Sequence, residues 1–125
     1  MEDTVPDSQS LVLHTEKGLV VLSGCGHAGI VNTLEYARSA IQSVPIHAAL
    51  GGFHLLEADD EQMAWTSSQL RSMGLEHFLG AHCTGIEAVY RIREKANLTR
   101  QTCVVGAVGA TFSLKDGLDP LTLAR

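Results

Sequence analysis

A chain of 125 residues with 9 Lys plus Arg against 14 Asp plus Glu, a formal net charge of -5, lacks the clustered basic charge that phosphate neutralisation requires, which excludes nucleic acid as the expected partner. Hydrophobic residues at 45% and charged ones at 18% describe an ordinary globular chain rather than a disordered one, and the length suits one domain over residues 1–125. The polar, acidic start Met1-Glu2-Asp3 and the lack of any apolar run of membrane-spanning length give the expectation of a cytoplasmic protein with no signal peptide and no membrane contact.

Residues 1–8 read as a polar lead-in. Residues 11–14 and 19–22 are apolar, β-prone runs, and Thr15-Glu16-Lys17-Gly18 between them predicts a four-residue hairpin loop joining two antiparallel strands. The second strand runs into Ser23-Gly24-Cys25-Gly26-His27-Ala28-Gly29. A helix is predicted over 28–43, because Ile30, Leu34, Ala37, Ile41 and Val44 recur at spacings of three and four, and Pro45 stops it. Residues 46–50 form the next predicted strand. Asp59 and Asp60 supply a helix start, Met63, Leu70 and Met73 mark its inward face, and Gly74 is its C-terminal stop. Residues 78–81 make a third strand of this kind. Thr84-Gly85-Ile86-Glu87 has capping-box spacing and opens a helix to about Asn97. Residues 102–105 and 108–114 read as closing β segments, and 117–125 as a tail.

The same grammar thus occurs three times: a buried strand, a loop with a histidine, then a helix. Crossovers of this type are right-handed, so if the strands at 19–22, 46–50 and 78–81 lie side by side their helices share one face of the sheet. The other face is then bare. Yet these strands are apolar at consecutive positions, as expected when both faces are covered, so a second copy or a missing domain is expected to cover it.

Loops that follow parallel strands gather at one edge of the sheet, where His27, His54 and His82 can converge. Neutral imidazole is the commonest metal ligand, and three with one open position make a catalytic zinc arrangement. His47 and His77 fall near strand starts, at the opposite edge, and read as surface or hydrogen-bonded structural residues. His14 ends the first hairpin strand and receives no role. Cys25, Cys83 and Cys103 are odd in number and far apart, which argues against a disulfide scaffold or a Cys-x-x-Cys knuckle. Cys25 and Cys83 read as small residues in tight turns, with a thiolate ligand or nucleophile as the alternative. Gly24-x-Gly26-x-x-Gly29 also satisfies the local grammar of a dinucleotide-binding turn, but the next strand ends in Gly51-Gly52-Phe53 where an acidic residue should hold the ribose.

Ser10-Leu11-Val12-Leu13, Lys17-Gly18-Leu19-Val20-Val21-Leu22, Gly24-Cys25-Gly26-His27-Ala28-Gly29-Ile30-Val31-Asn32, Gly51-Gly52-Phe53-His54-Leu55 and His82-Cys83-Thr84-Gly85 occur in that order. With these motifs the chain, over about residues 6–114, resembles the carboxy-terminal half of metallo-β-lactamase-fold hydrolases, in the dihydropterin-ribofuranosyl-aminobenzene-phosphate synthase-like branch. The resemblance implies an α/β fold: half of an αββα sandwich, a mixed sheet with three helices on one face. It also implies two metals, usually zinc, in a cleft at one edge. By that comparison His27 matches the family's third metal-binding motif and His82 its last, while His54 lies about where many relatives carry a bridging aspartate. The implied chemistry is attack of activated water on an ester, amide or phosphoester of a small-molecule substrate.

The family's His-x-His-x-Asp-His cluster, which belongs to the amino-terminal half, does not occur in this chain. The expectation is therefore half a site, with a two-metal centre only when a complementary half is present, and no catalysis by the chain alone. Two alternatives stand beside it: a non-catalytic homo-oligomeric or interaction domain that kept the fold, and a dinucleotide-binding module.

Overall fold

The computed structural model describes residues 8–121. Most of the predicted lead-in, residues 1–7, and the end of the predicted tail, residues 122–125, lie outside the described residues. Strands β1 (Ser10–Thr15) and β2 (Gly18–Ser23) form an antiparallel hairpin, followed by α1 (Ile30–Ala40), β3 (Ile46–Gly51), α2 (Asp60–Ser72), β4 (His77–Gly80), a single 3-10 turn (His82–Thr84), α3 (Ile86–Lys95) and β5 (Cys103–Val105). These strands make one mixed sheet in the order β1-β2-β3-β4-β5, with only the first pair antiparallel. Strands β6 (Thr111–Ser113) and β7 (Gly117–Asp119) form a separate antiparallel hairpin.

One apolar core joins the three helices to the sheet. Leu19 and Val21 of β2, Ile46 and Ala49 of β3, Phe78 of β4 and Cys103 of β5 meet Leu34 of α1, Met63 and Leu70 of α2, and Val89 and Ile92 of α3, all almost fully buried. Complete burial of each large side chain contributes about 1.5–3 kcal/mol, which sets the helices on one face as the crossover rule requires. Burial also pushes the Cys103 thiol up to about 12, and its Sγ donates to Val89 O, so this cysteine is core material rather than a ligand. The strand order is sequential. It has no reversal of the kind that opens the dinucleotide crevice of doubly wound sheets, which removes the topological support for that alternative.

Several local expectations change. Thr15 pairs with Gly18, so the first hairpin turns on Glu16 and Lys17 alone; the Thr15 hydroxyl donates to Gly18 O at 2.6 Å and accepts from Lys17 N–H, doing the work assigned to a longer loop. Helix α1 stops at Ala40, which leaves Ile41 half exposed instead of on the buried stripe. Helix α2 starts as expected, and with a full capping box: Gln62 N–H donates to the Asp59 carboxylate and Asp59 N–H to the Gln62 side chain. The capping box expected at Thr84 and Glu87 is not formed. Gly85 is the N-cap of α3, and the Thr84 side chain is used elsewhere. Residues 117–119, read as tail, are strand β7.

The second face of the sheet is half covered rather than bare. Leu13 with Val20, Leu11 with Leu22, Leu22 with Leu50 and Leu50 with Leu79 are cross-strand partners and form its apolar surface. Hairpin β6–β7 lies over one end, where Phe112 meets the His47 and His77 rings and Lys17 Nζ donates to Leu114 O at 2.6 Å. At the other end Leu11, Leu13 and Leu22 remain 59%, 47% and 38% exposed. No helix among the described residues is long and apolar enough to cross a membrane.

Candidate metal centre

The carboxyl ends of β2, β3 and β4 reach one edge of the sheet, in register: Ser23 is paired with Gly51 and Gly51 with Gly80. Each strand then delivers a histidine. His27 and His54 meet edge to face with ring centroids 4.8 Å apart, and His27 and His82 line one cleft together with Cys25, Gly51 and Gly52. All three imidazoles are exposed. Among the described residues, the group of three donor atoms at this rim that lie within 4.8 Å of one another comes from Cys25, His82 and Cys83, without His27 or His54, and Cys25 Sγ lies 3.6 Å from His82 Nδ1.

Close backbone approach builds the rim. A Cβ on Gly51, whose φ is +124°, would sit 2.0 Å from Ser23 O, and one on Gly52 would sit 2.1 Å from Gly24 O. Only glycine lets the loops after β2 and β3 touch there, bringing the His27 and His54 segments together. Two of the three histidines hold left-handed backbone, His54 at φ 49° and His82 at φ 55°. That conformation is uncommon for a non-glycine residue, and it clusters at functional sites because surrounding structure must impose it.

The imposing contacts come from residues next to the histidines. Phe53, 1% exposed, packs its ring 5.3 Å from that of Phe78 and anchors the segment that carries His54. Thr84 is fully buried: its hydroxyl accepts from Phe53 N–H at 3.1 Å and lies 3.3 Å from Gly51 O, to which it donates. Cys83 Sγ accepts from His54 N–H and donates to Cys25 O, each at 3.2 Å. Cys83 and Thr84 thus tie the three loops to one another. The sequence reading missed this role because Thr-x-x-Glu spacing points to a cap, and nothing local shows that the hydroxyl is closer to β3 than to its own helix. Thr84→Val is expected to leave the buried Phe53 N–H without an acceptor and cost about 1–3 kcal/mol in urea denaturation, with Thr84→Ser losing less.

His47 departs from its assignment: it is 3% exposed and so is not at the surface, and among the described residues neither of its ring nitrogens has a hydrogen-bond partner.

No family model matches the chain. A search of solved structures finds the crystal structure of a metal-dependent hydrolase of the β-lactamase superfamily at TM-score 0.71 and 34% identity, covering 78% of this chain and 38% of that one. The chain folds as a β-lactamase-superfamily half-domain. Among curated proteins, the half-domain is 38% identical over 86 residues to the 7,8-dihydropterin-6-methyl-4-(β-D-ribofuranosyl)-aminobenzene-5′-phosphate synthase of Methanocaldococcus jannaschii, a match covering 69% of this chain and 29% of the synthase. It is 30% identical over 114 residues to an uncharacterised protein of the same organism, covering 91% of this chain and 40% of that protein. The half-domain therefore spans well under half the length of each relative.

Proposed function

We propose that the half-domain supplies one side of a metal-dependent hydrolytic site, with His27, His54 and His82 as metal ligands and zinc as the metal. The observation that carries this reading is the arrival of three histidines at one sheet edge, two of them with left-handed backbone. The donor set fits a divalent transition metal: imidazoles, with the Cys25 sulfur beside His82, suit zinc better than a hard cation that prefers oxygen. A bound cation of this kind supplies positive charge that polarises an ester, amide or phosphoester and acidifies water. The chain's own contribution is to hold the imidazoles in place through the Thr84 and Cys83 ties. One relative is a hydrolase and another a synthase of a phosphate-bearing compound, and the hydrolytic reading follows the solved structure.

The rest of the site belongs to a complementary half. The exposed row of Leu11, Leu13 and Leu22 on the second sheet face is the surface for it, and the length that the relatives have beyond this chain is its source. A second copy of the chain covering the same face is the outcome that would favour the interaction-domain reading.

Metal analysis of the full chain after zinc loading and desalting tests the proposal. Wild type is expected to retain more zinc per chain than His27→Ala/His82→Ala, with affinity at the rim falling at least about tenfold. Equal metal content in wild type and variant would refute the rim as a metal centre.

A further inference from the structure

At the opposite edge of the sheet His47, Glu76 and His77 bring three donor atoms within 4.8 Å of one another. We propose that these residues form a separate zinc-type site, which fastens hairpin β6–β7 to the sheet. This site shares no residue with the histidine rim.

The first observation is an unmet need. Buried imidazole nitrogens are normally hydrogen-bonded, yet among the described residues neither nitrogen of His47, nor Nδ1 of His77, has a hydrogen-bond partner. Glu76 Oε2 lies 3.3 Å from His47 Nδ1, a contact that does not count as a hydrogen bond. Two ligands held about 2.0–2.1 Å from a tetrahedral zinc stand roughly 3.3–3.4 Å apart, so that separation suits a shared cation without rearrangement. The pair is placed as co-ligands rather than as donor and acceptor.

The second observation is the enclosure. The His47 and His77 rings meet edge to face at 5.0 Å, and Phe112 of β6 lies against both, 6.1 Å and 5.7 Å between centroids. Gly117 at the start of β7 is so near that a Cβ there would come 2.7 Å from His77 Cε1. Hairpin β6–β7 therefore roofs the two imidazoles, while the exposed Glu76 carboxylate can swing to complete a three-ligand set of two histidines and one carboxylate. Burial, together with His47, holds the His77 imidazole below its ordinary range, against the opposing pull of Glu76. Lys17 also faces His77, but its ammonium is held by Leu114 O.

Zinc chloride titrated into the metal-stripped full chain carrying His27→Ala, His82→Ala and Cys25→Ser isolates this site from the rim. One zinc is expected to bind and raise Tm, and cobalt in its place should show tetrahedral absorption without a thiolate-to-cobalt charge-transfer band. Glu76→Gln in the same background, an exposed position where folding is not at risk, should weaken binding at least about tenfold, and His77→Gln should do the same. A folded rim variant that binds no zinc at micromolar concentration overturns the proposal, and so does binding that Glu76→Gln leaves unchanged. Loss of rim binding in wild type leaves these expectations as they stand, so the two sites fail separately.

Discussion

Gly51→Ala is expected to destabilise the half-domain by at least about 3 kcal/mol, a large part of the 5–15 kcal/mol typical of a whole domain. Its φ of +124° is one that L side chains rarely adopt, and the added Cβ would lie 2.0 Å from Ser23 O, backbone that no rotamer can move aside. The change strikes where β2, β3 and β4 are in register below the histidines, so the rim should lose its shape with the fold. Gly24→Ala is the matched control. It lies in the adjacent loop, yet a Cβ there meets nothing within 4 Å. Urea denaturation should find Gly24→Ala within about 1 kcal/mol of wild type. Similar losses for the two variants would show that the close approach of these loops is not what holds the edge together.

Phe53→Ala is expected to cost about 3–5 kcal/mol, because the ring is 1% exposed and leaves a cavity against Phe78 that the core cannot fill. Phe53→Leu, which keeps most of the volume, should cost less than about 1.5 kcal/mol. The residue also precedes His54, whose left-handed backbone depends on an anchored neighbour. Zinc retained at the rim should accordingly fall in Phe53→Ala at a temperature where the variant is still folded. Leu56→Ala, three residues on and 71% exposed, provides the reference. If Phe53→Ala melts no earlier than Leu56→Ala, the ring is not an anchor.

What was legible in the sequence follows from how locally each feature is encoded. The strands 19–22, 46–50 and 78–81 were read from consecutive apolar residues, and the sheet places them as neighbours in that order. The inward faces of α1 and α2 were legible through spacing, since Leu34, Met63 and Leu70 recur at helical intervals and are fully buried. Ile41 kept the same interval but fell beyond the last helical residue, where periodicity no longer fixes direction. Thr84 was misread for a related reason. A hydroxyl at helix-start spacing looks alike whether it caps its own helix or reaches a strand that is distant along the chain.

The sequence by itself determined the strand-loop-helix repeats and the single histidine that each loop carries, because these depend on residue type and short-range spacing. The tertiary structure alone decided which polar groups meet: Thr84 with the Phe53 amide, Cys83 with the His54 loop, and His47 with Glu76 and His77 under Phe112. Such contacts join groups on different strands and loops, and their geometry depends on packing that no single stretch of sequence encodes.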